Sequence, residues 1–181
     1  DSWKSFLISL IITFGFGVTF LLSTRNELKN KILTQDAFLI TTLSWIFISV
    51  FGALPFFFSD SSLSLTNSIF ESMSGITTTG STIFNKVENL PKGILIWRSI
   101  LQWIGGVGII VMAVSILPVL QVGGMQVFRT ESSDTTEKIL PRTTQVASAV
   151  ILIYIILTVT CLIAYWVGGM NLFDAIVHSM T

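Results

Sequence analysis

The chain has 181 residues, 51% hydrophobic and 11% charged, less than half the charge of a soluble domain, and cannot cover a water-facing surface. Ten Lys and Arg balance ten Asp and Glu, which removes the basic excess that nucleic-acid binding draws on. A single cysteine, Cys161, and a single histidine, His178, exclude an internal disulfide and a Cys/His metal site.

The first uncharged run is Ser5–Thr24. At about 1.5 Å per residue, even this shortest of the uncharged runs reaches the roughly 30 Å of a hydrocarbon core. A backbone in lipid must satisfy its own hydrogen bonds, so the run is read as a helix. It is long for a signal peptide, follows only Lys4, and lacks a small-residue cleavage site. Residues 1–33 are thus expected to be a leading transmembrane helix and a cytoplasmic link, and the start at Asp1 suggests a fragment or processed product.

Three more uncharged runs follow, Ala37–Ser59, Ser99–Phe128 and Thr143–Phe173. Pro91 is expected to open the third helix and Pro118 to end its straight part. Arg25, Lys29 and Lys31 follow the first span, and Arg129, Lys138 and Arg142 the third. Only Lys86 and Lys92 lie between the second and third, with Arg98 slightly inside the helix. The positive-inside rule puts the two basic links in the cytoplasm and the 60–90 link outside. Trp3, Trp97 and Trp166 then lie near outer ends.

That outer link is too apolar for a simple exposed loop. Leu65, Ile69, Phe70 and Met73 recur at roughly helical spacing after an N-cap at Ser64. About ten residues of helix cover only half a bilayer. The next residues, Gly75-Ile76-Thr77-Thr78-Thr79-Gly80-Ser81-Thr82, suit neither helix nor sheet, and such backbone at membrane depth must be buried in protein or line a watery cavity. A half-helix whose negative C-terminal end meets a Thr/Gly strip is what a cation filter needs. Successive carbonyls can replace an ion's water, and Gly80 allows a positive φ that turns a carbonyl toward the axis. The candidate filter is Thr77, Thr78, Thr79, Gly80 and Ser81, with the metal ion K+ on Thr78, Thr79 and Gly80. The competing reading is an ordinary Ser/Thr-rich turn between spans.

Leu65-Thr66-Asn67-Ser68-Ile69-Phe70-Glu71-Ser72-Met73-Ser74 reappears 107 positions later as Leu172-Phe173-Asp174-Ala175-Ile176-Val177-His178-Ser179-Met180-Thr181. The same offset lays the second span over the fourth. Residues 34–118 are expected to form one complete span, pore loop and span. Residues 119–143 form a cytoplasmic connector, and 144–181 hold the span and half-helix of a second copy, truncated before its filter. Repeats in transport proteins commonly surround a shared pathway. The fold class is therefore an all-α membrane protein with a re-entrant pore half-helix and filter loop, in channel-like pseudo-repeats.

Phe70–Thr82, Leu90–Arg98, Gln102–Ile110, Gly123-Gly124-Met125-Gln126 and Phe173-Asp174-Ala175-Ile176 together resemble the TrkH family of bacterial potassium-uptake subunits, from about Thr34 to Thr181. The resemblance implies a longer chain of four pseudo-repeats around one K+ pore, each with a single-glycine filter. It also implies a homodimer in the bacterial cytoplasmic (inner) membrane and a cytosolic nucleotide-binding regulatory subunit. K+ is then bound and transported, with no organic cofactor and no enzyme activity. A small homotetrameric cation channel and a non-conducting membrane scaffold are the alternatives.

Glu71 and Arg98 are expected to pair and support the filter, since an intramembrane charge usually finds a partner; the alternative is that Arg98 reaches headgroups and Glu71 meets water. Gly105, Gly106 and Gly108 follow no strand, so they mark helix packing or a gating hinge rather than a dinucleotide site. His178 occupies the Glu71 position of the second copy. No nucleophile–base set or phosphate loop is present.

Overall fold

The computed structural model describes residues 3–24, 34–59, 63–120 and 136–181. They form helices α1 (Trp3–Thr24), α2 (Thr34–Phe57), α3 (Leu65–Ile76), α4 (Lys92–Leu120), α5 (Thr136–Val167) and α6 (Leu172–Ser179), with a 3-10 turn at Val87–Asn89. The described residues contain no strand. Four helical stretches, Trp3–Thr24, Phe38–Phe57, Lys92–Ile110 and Gln145–Val167, are long and apolar enough to cross a membrane.

Pro91 precedes α4, and its carbonyl accepts from the amides of Ile94 and Leu95. The helix continues to Leu120, two residues past Pro118. α5 starts at Thr136, inside the stretch 119–143 expected to be connector. Each added residue gains one hydrogen bond, so a helix set by its apolar part extends into a polar flank. Residues 121–135 of that connector, with Arg129 and Gly123-Gly124, lie outside the described residues, as do Arg25, Lys29 and Lys31.

Two compact units make up the chain, Asp1–Trp103 and Ile104–Thr181, with α4 starting in one and ending in the other. In the first, Phe56, Ile76, Ile94 and Leu101 are buried together, with Phe6, Trp45, Leu63, Phe84, Leu90 and Trp97 packed against them. Helices in lipid associate through close packing and hydrogen bonds rather than hydrophobic exclusion, and small residues do that here. A Cβ on Gly52 would stand 2.6 Å from Ser72 Oγ, and one on Gly75 would stand 3.3 Å from Leu101 Cβ. These glycines bring α2 against α3 and α3 against α4. Trp97 Nε1 donates to the Gly52 carbonyl at 2.9 Å, and Ser5 Oγ donates to the Phe58 carbonyl just past the end of α2.

In the second unit, α5 ends with Gly169 at φ +97°. The Met170 amide returns to the Tyr165 carbonyl and the Gly169 amide to that of Trp166. This is the Schellman stop, which places a left-handed residue just past the helix. Asn171 then caps α6, its side chain accepting from the Asp174 amide.

Candidate ion-binding site

α3 starts where expected. Ser64 is extended, and its hydroxyl accepts from the Asn67 amide at 3.2 Å. The helix hides a small and polar face: Ser68, Glu71, Ser72, Ser74, Gly75 and Ile76 are buried, while Leu65, Phe70 and Met73 are exposed. Leu65 and Phe70, which help mark the helical period, therefore lie on the exposed side, while Met73 is partly exposed with its sulfur accepting from Ser49 Oγ of α2 at 3.2 Å.

α3 stops with the same hydrogen-bond pattern as α5. The Thr79 amide reaches the Ser74 carbonyl at 3.0 Å, and the Thr78 amide reaches Gly75 at 2.9 Å. The left-handed position that α5 gives to Gly169 is here Thr78, at φ 56°. A β-branched residue in that region is strained, by about 1–2 kcal/mol. Gly80 follows at φ +76° with open space around its Cα, as its place in the strip leads one to expect. From Thr79 to Thr82 the backbone is neither helix nor strand, and Thr78, Thr79, Gly80, Ser81 and Thr82 are exposed.

The hydroxyl of Thr77 donates to the Met73 carbonyl at 2.7 Å. Its single proton is then used, so Thr79 Oγ1, 2.9 Å away, is the donor between the two hydroxyls. Ser74, 5% exposed, donates to the Ser81 carbonyl at 2.6 Å.

Behind the strip lies a charged knot. Glu71 is fully buried and accepts from Arg98 Nε at 2.7 Å, with the Arg98 side chain 14% exposed. Thr82 Oγ1 lies 3.0 Å from both carboxylate oxygens, and the Ile83 amide donates to Oε2 at 3.1 Å. Arg98 Nη2 donates to the Gly80 carbonyl at 3.2 Å. The two charges therefore join α3, α4 and the far end of the strip. A buried carboxylate is tolerated when its charge and lone pairs are matched in this way.

Sequence reasoning brought Glu71 and Arg98 together but left Ser74 and Thr82 without roles. Neither carries a signal in composition; their partners are a loop carbonyl and a carboxylate 11 residues back. Of the three glycines in α4, a Cβ on Gly106 would stand 2.6 Å from the Tyr154 hydroxyl, whereas one on Gly108 meets nothing. Gly105 is buried. His178 is exposed, its Nδ1 2.8 Å from the Asp174 carbonyl and its ring edge-on to Tyr165. Among the described residues, no group of three or more His, Cys, Asp and Glu is placed to hold a metal ion.

A family model described as "TrkH: Cation transport protein" matches residues 2–181. The chain belongs to the TrkH family. The match takes in α1 as well, and so begins ahead of the Thr34 from which the motifs could be followed. The Trk system potassium uptake protein TrkI of Halomonas elongata is 54% identical over 144 residues, which is 80% of this chain and 29% of that protein. TrkH of Escherichia coli K12 is 44% identical over 179 residues, 97% of this chain and 37% of that protein. The crystal structure of the potassium transporter TrkH from Vibrio parahaemolyticus superposes with a TM-score of 0.79 at 38% identity, covering 99% of this chain and 35% of that one. The chain thus spans less than two fifths of the length of these TrkH-family relatives. These relatives are named as potassium uptake proteins and a potassium transporter, not as enzymes.

Proposed function

We propose that this chain forms part of a Trk-type potassium-uptake subunit, with Thr77, Thr78, Thr79, Gly80 and Ser81 as one segment of its ion filter. The observation that carries the reading is the end of α3. The helix stops on a strained Thr78, and the backbone beyond it is irregular and exposed while Glu71 and Arg98 anchor it from behind. Irregular backbone at membrane depth belongs beside a watery path, and main-chain oxygens are what a dehydrated K+ requires. The relatives' names supply the ion.

One such strip is about a quarter of the carbonyl cage that K+ channels build from four loops. The remaining segments belong to further sequence of the same protein, as the greater length of the relatives supports. K+ passes down its electrochemical gradient through an inner-membrane protein that works as a homodimer with a cytosolic nucleotide-binding partner. The membrane lipid is its other neighbour. Expressed as the full-length protein, it is expected to restore growth at low K+ to cells that lack K+ uptake. Gly80→Asp should abolish the rescue at an unchanged protein level in the membrane. Rescue that survives Gly80→Asp rejects the filter assignment.

A further inference from the structure

We propose that the hollow between α1, α2 and α4 holds one acyl chain of a membrane phospholipid. The site lies apart from the filter strip and depends only on these helices crossing a bilayer.

The hollow measures about 400 Å3 and is walled by Phe6, Leu10 and Phe14 of α1, Phe51 and Pro55 of α2 and Trp97 of α4. Ring contacts flank it along α1: Phe6 meets Trp97 edge-on with centroids 5.9 Å apart, and Phe16 meets Phe51 at 5.1 Å. The polar side chains at its wall are already used. Ser9 Oγ donates to the Ser5 carbonyl and Thr13 Oγ1 to the Ser9 carbonyl, each at 2.7 Å, and Trp97 Nε1 donates to the Gly52 carbonyl. A buried water needs about two to four polar partners, and these three side chains have no proton left to give it. An unfilled void is no better, because the carbons around it forfeit their dispersion contacts. The occupant that suits the hollow is therefore apolar.

Its shape decides which apolar group enters. From Phe6 to Phe14 the hollow runs for about 12 Å along α1. Its volume over that length gives a cross-section of roughly 33 Å2, less than half that of an α-helix about 10 Å wide. A further helix, from the same protein or from a second copy, can lie across the hollow but cannot enter it. A methylene chain is thin enough to enter and needs no hydrogen-bonding partner. The rim is formed by Leu10 and Phe14, 66% and 70% exposed, on a helix long and apolar enough to cross the membrane. The bilayer at that rim supplies the chain, which lies alongside α1 as lipid tails lie alongside a spanning helix.

The test is photolabelling of the full-length protein in bilayers of phosphatidylethanolamine and phosphatidylglycerol containing a phospholipid with a diazirine halfway along one acyl chain. Adducts are located by peptide mass spectrometry. They should favour Phe6, Leu10 and Phe14 over Ile8 and Ile11, which are exposed at the same depth on α1 but outside the hollow. The expected preference is roughly tenfold, the factor that about ten extra carbon contacts supply. Ser9→Phe fills the hollow from its buried wall and should bring the two sets to the same level. If that variant does not accumulate, Thr13→Phe fills the hollow from the next turn and should do the same. Equal or absent labelling at the two sets in the unaltered protein overturns the proposal, since ordinary fluid lipid does not distinguish them. Labelling of Ile8 and Ile11 alone also overturns it, because another part of the protein then covers the hollow. A preference that survives the filling variant puts the chain outside the hollow and overturns it as well.

Discussion

Ser64 and Asn171 stand at the same point of two copies of one segment, and each side chain accepts the amide three residues on, that of Asn67 or Asp174. Ser68 and Ala175, again equivalent, are both fully buried. Beyond these shared features the copies diverge. Where α3 carries a buried Glu71 with three donor groups around it, α6 carries an exposed His178 turned to its own helix at Asp174. Where α2 has Gly52 pinched against Ser72, the matching position of α5 is Val159, which is 49% exposed. The half-helix frame is encoded locally, by a cap and a small buried residue, and tolerates different chemistry at the position of Glu71 and His178. A repeated fold therefore does not imply a repeated anchor.

Breaking the anchor gives the largest expected effect. Removing one member of a buried ion pair leaves the other charge unmatched, so Glu71→Ala or Arg98→Ala should each cost about 3–5 kcal/mol. His178→Ala, with no such partner among the described residues, should fall within about 0.5 kcal/mol. Thermal unfolding of the full-length protein in detergent measures both, and equal losses at Glu71 and His178 would mean that the two copies are anchored alike.

The contrast between Thr78 and Gly169 is sharpened by exchange. Thr78→Gly removes a left-handed β-branched residue and should stabilise by about 1 kcal/mol, while loosening the strip and lowering the K+/Na+ uptake ratio. Greater stability with an unchanged ratio would show that the strain serves no selection.

The smallest effects test the shared frame. Ser64→Ala and Asn171→Ala each remove an N-cap and should each cost about 1 kcal/mol. A silent substitution at one position would break the equivalence of the two caps.

The helices were legible because lipid imposes long uncharged runs, and the α3 start was legible because Ser64 and the spacing after it obey helix rules. The strip was legible by exclusion, since Gly75–Thr82 suits neither regular structure. Glu71 and Arg98 could be paired because a charge at membrane depth seeks a partner. Which side of α3 is buried could not be read: Leu65, Phe70 and Met73 carry the apolar period, yet Ser68, Ser72 and Ser74 face inward. That choice depends on how closely α2 and α4 approach, a property of Gly52 and Gly75 in three dimensions. The tethers to Gly80 and Ser81 were hidden for the same reason, because a carbonyl has no letter in the sequence.

The most direct test is to locate a heavier K+ substitute, Rb+ or Tl+, by anomalous diffraction from crystals of the full-length protein. The account predicts a peak in direct contact with main-chain oxygens of the strip Thr77, Thr78, Thr79, Gly80 and Ser81, with no water between. Anomalous peaks elsewhere on the ion path, with none against that strip, would contradict it.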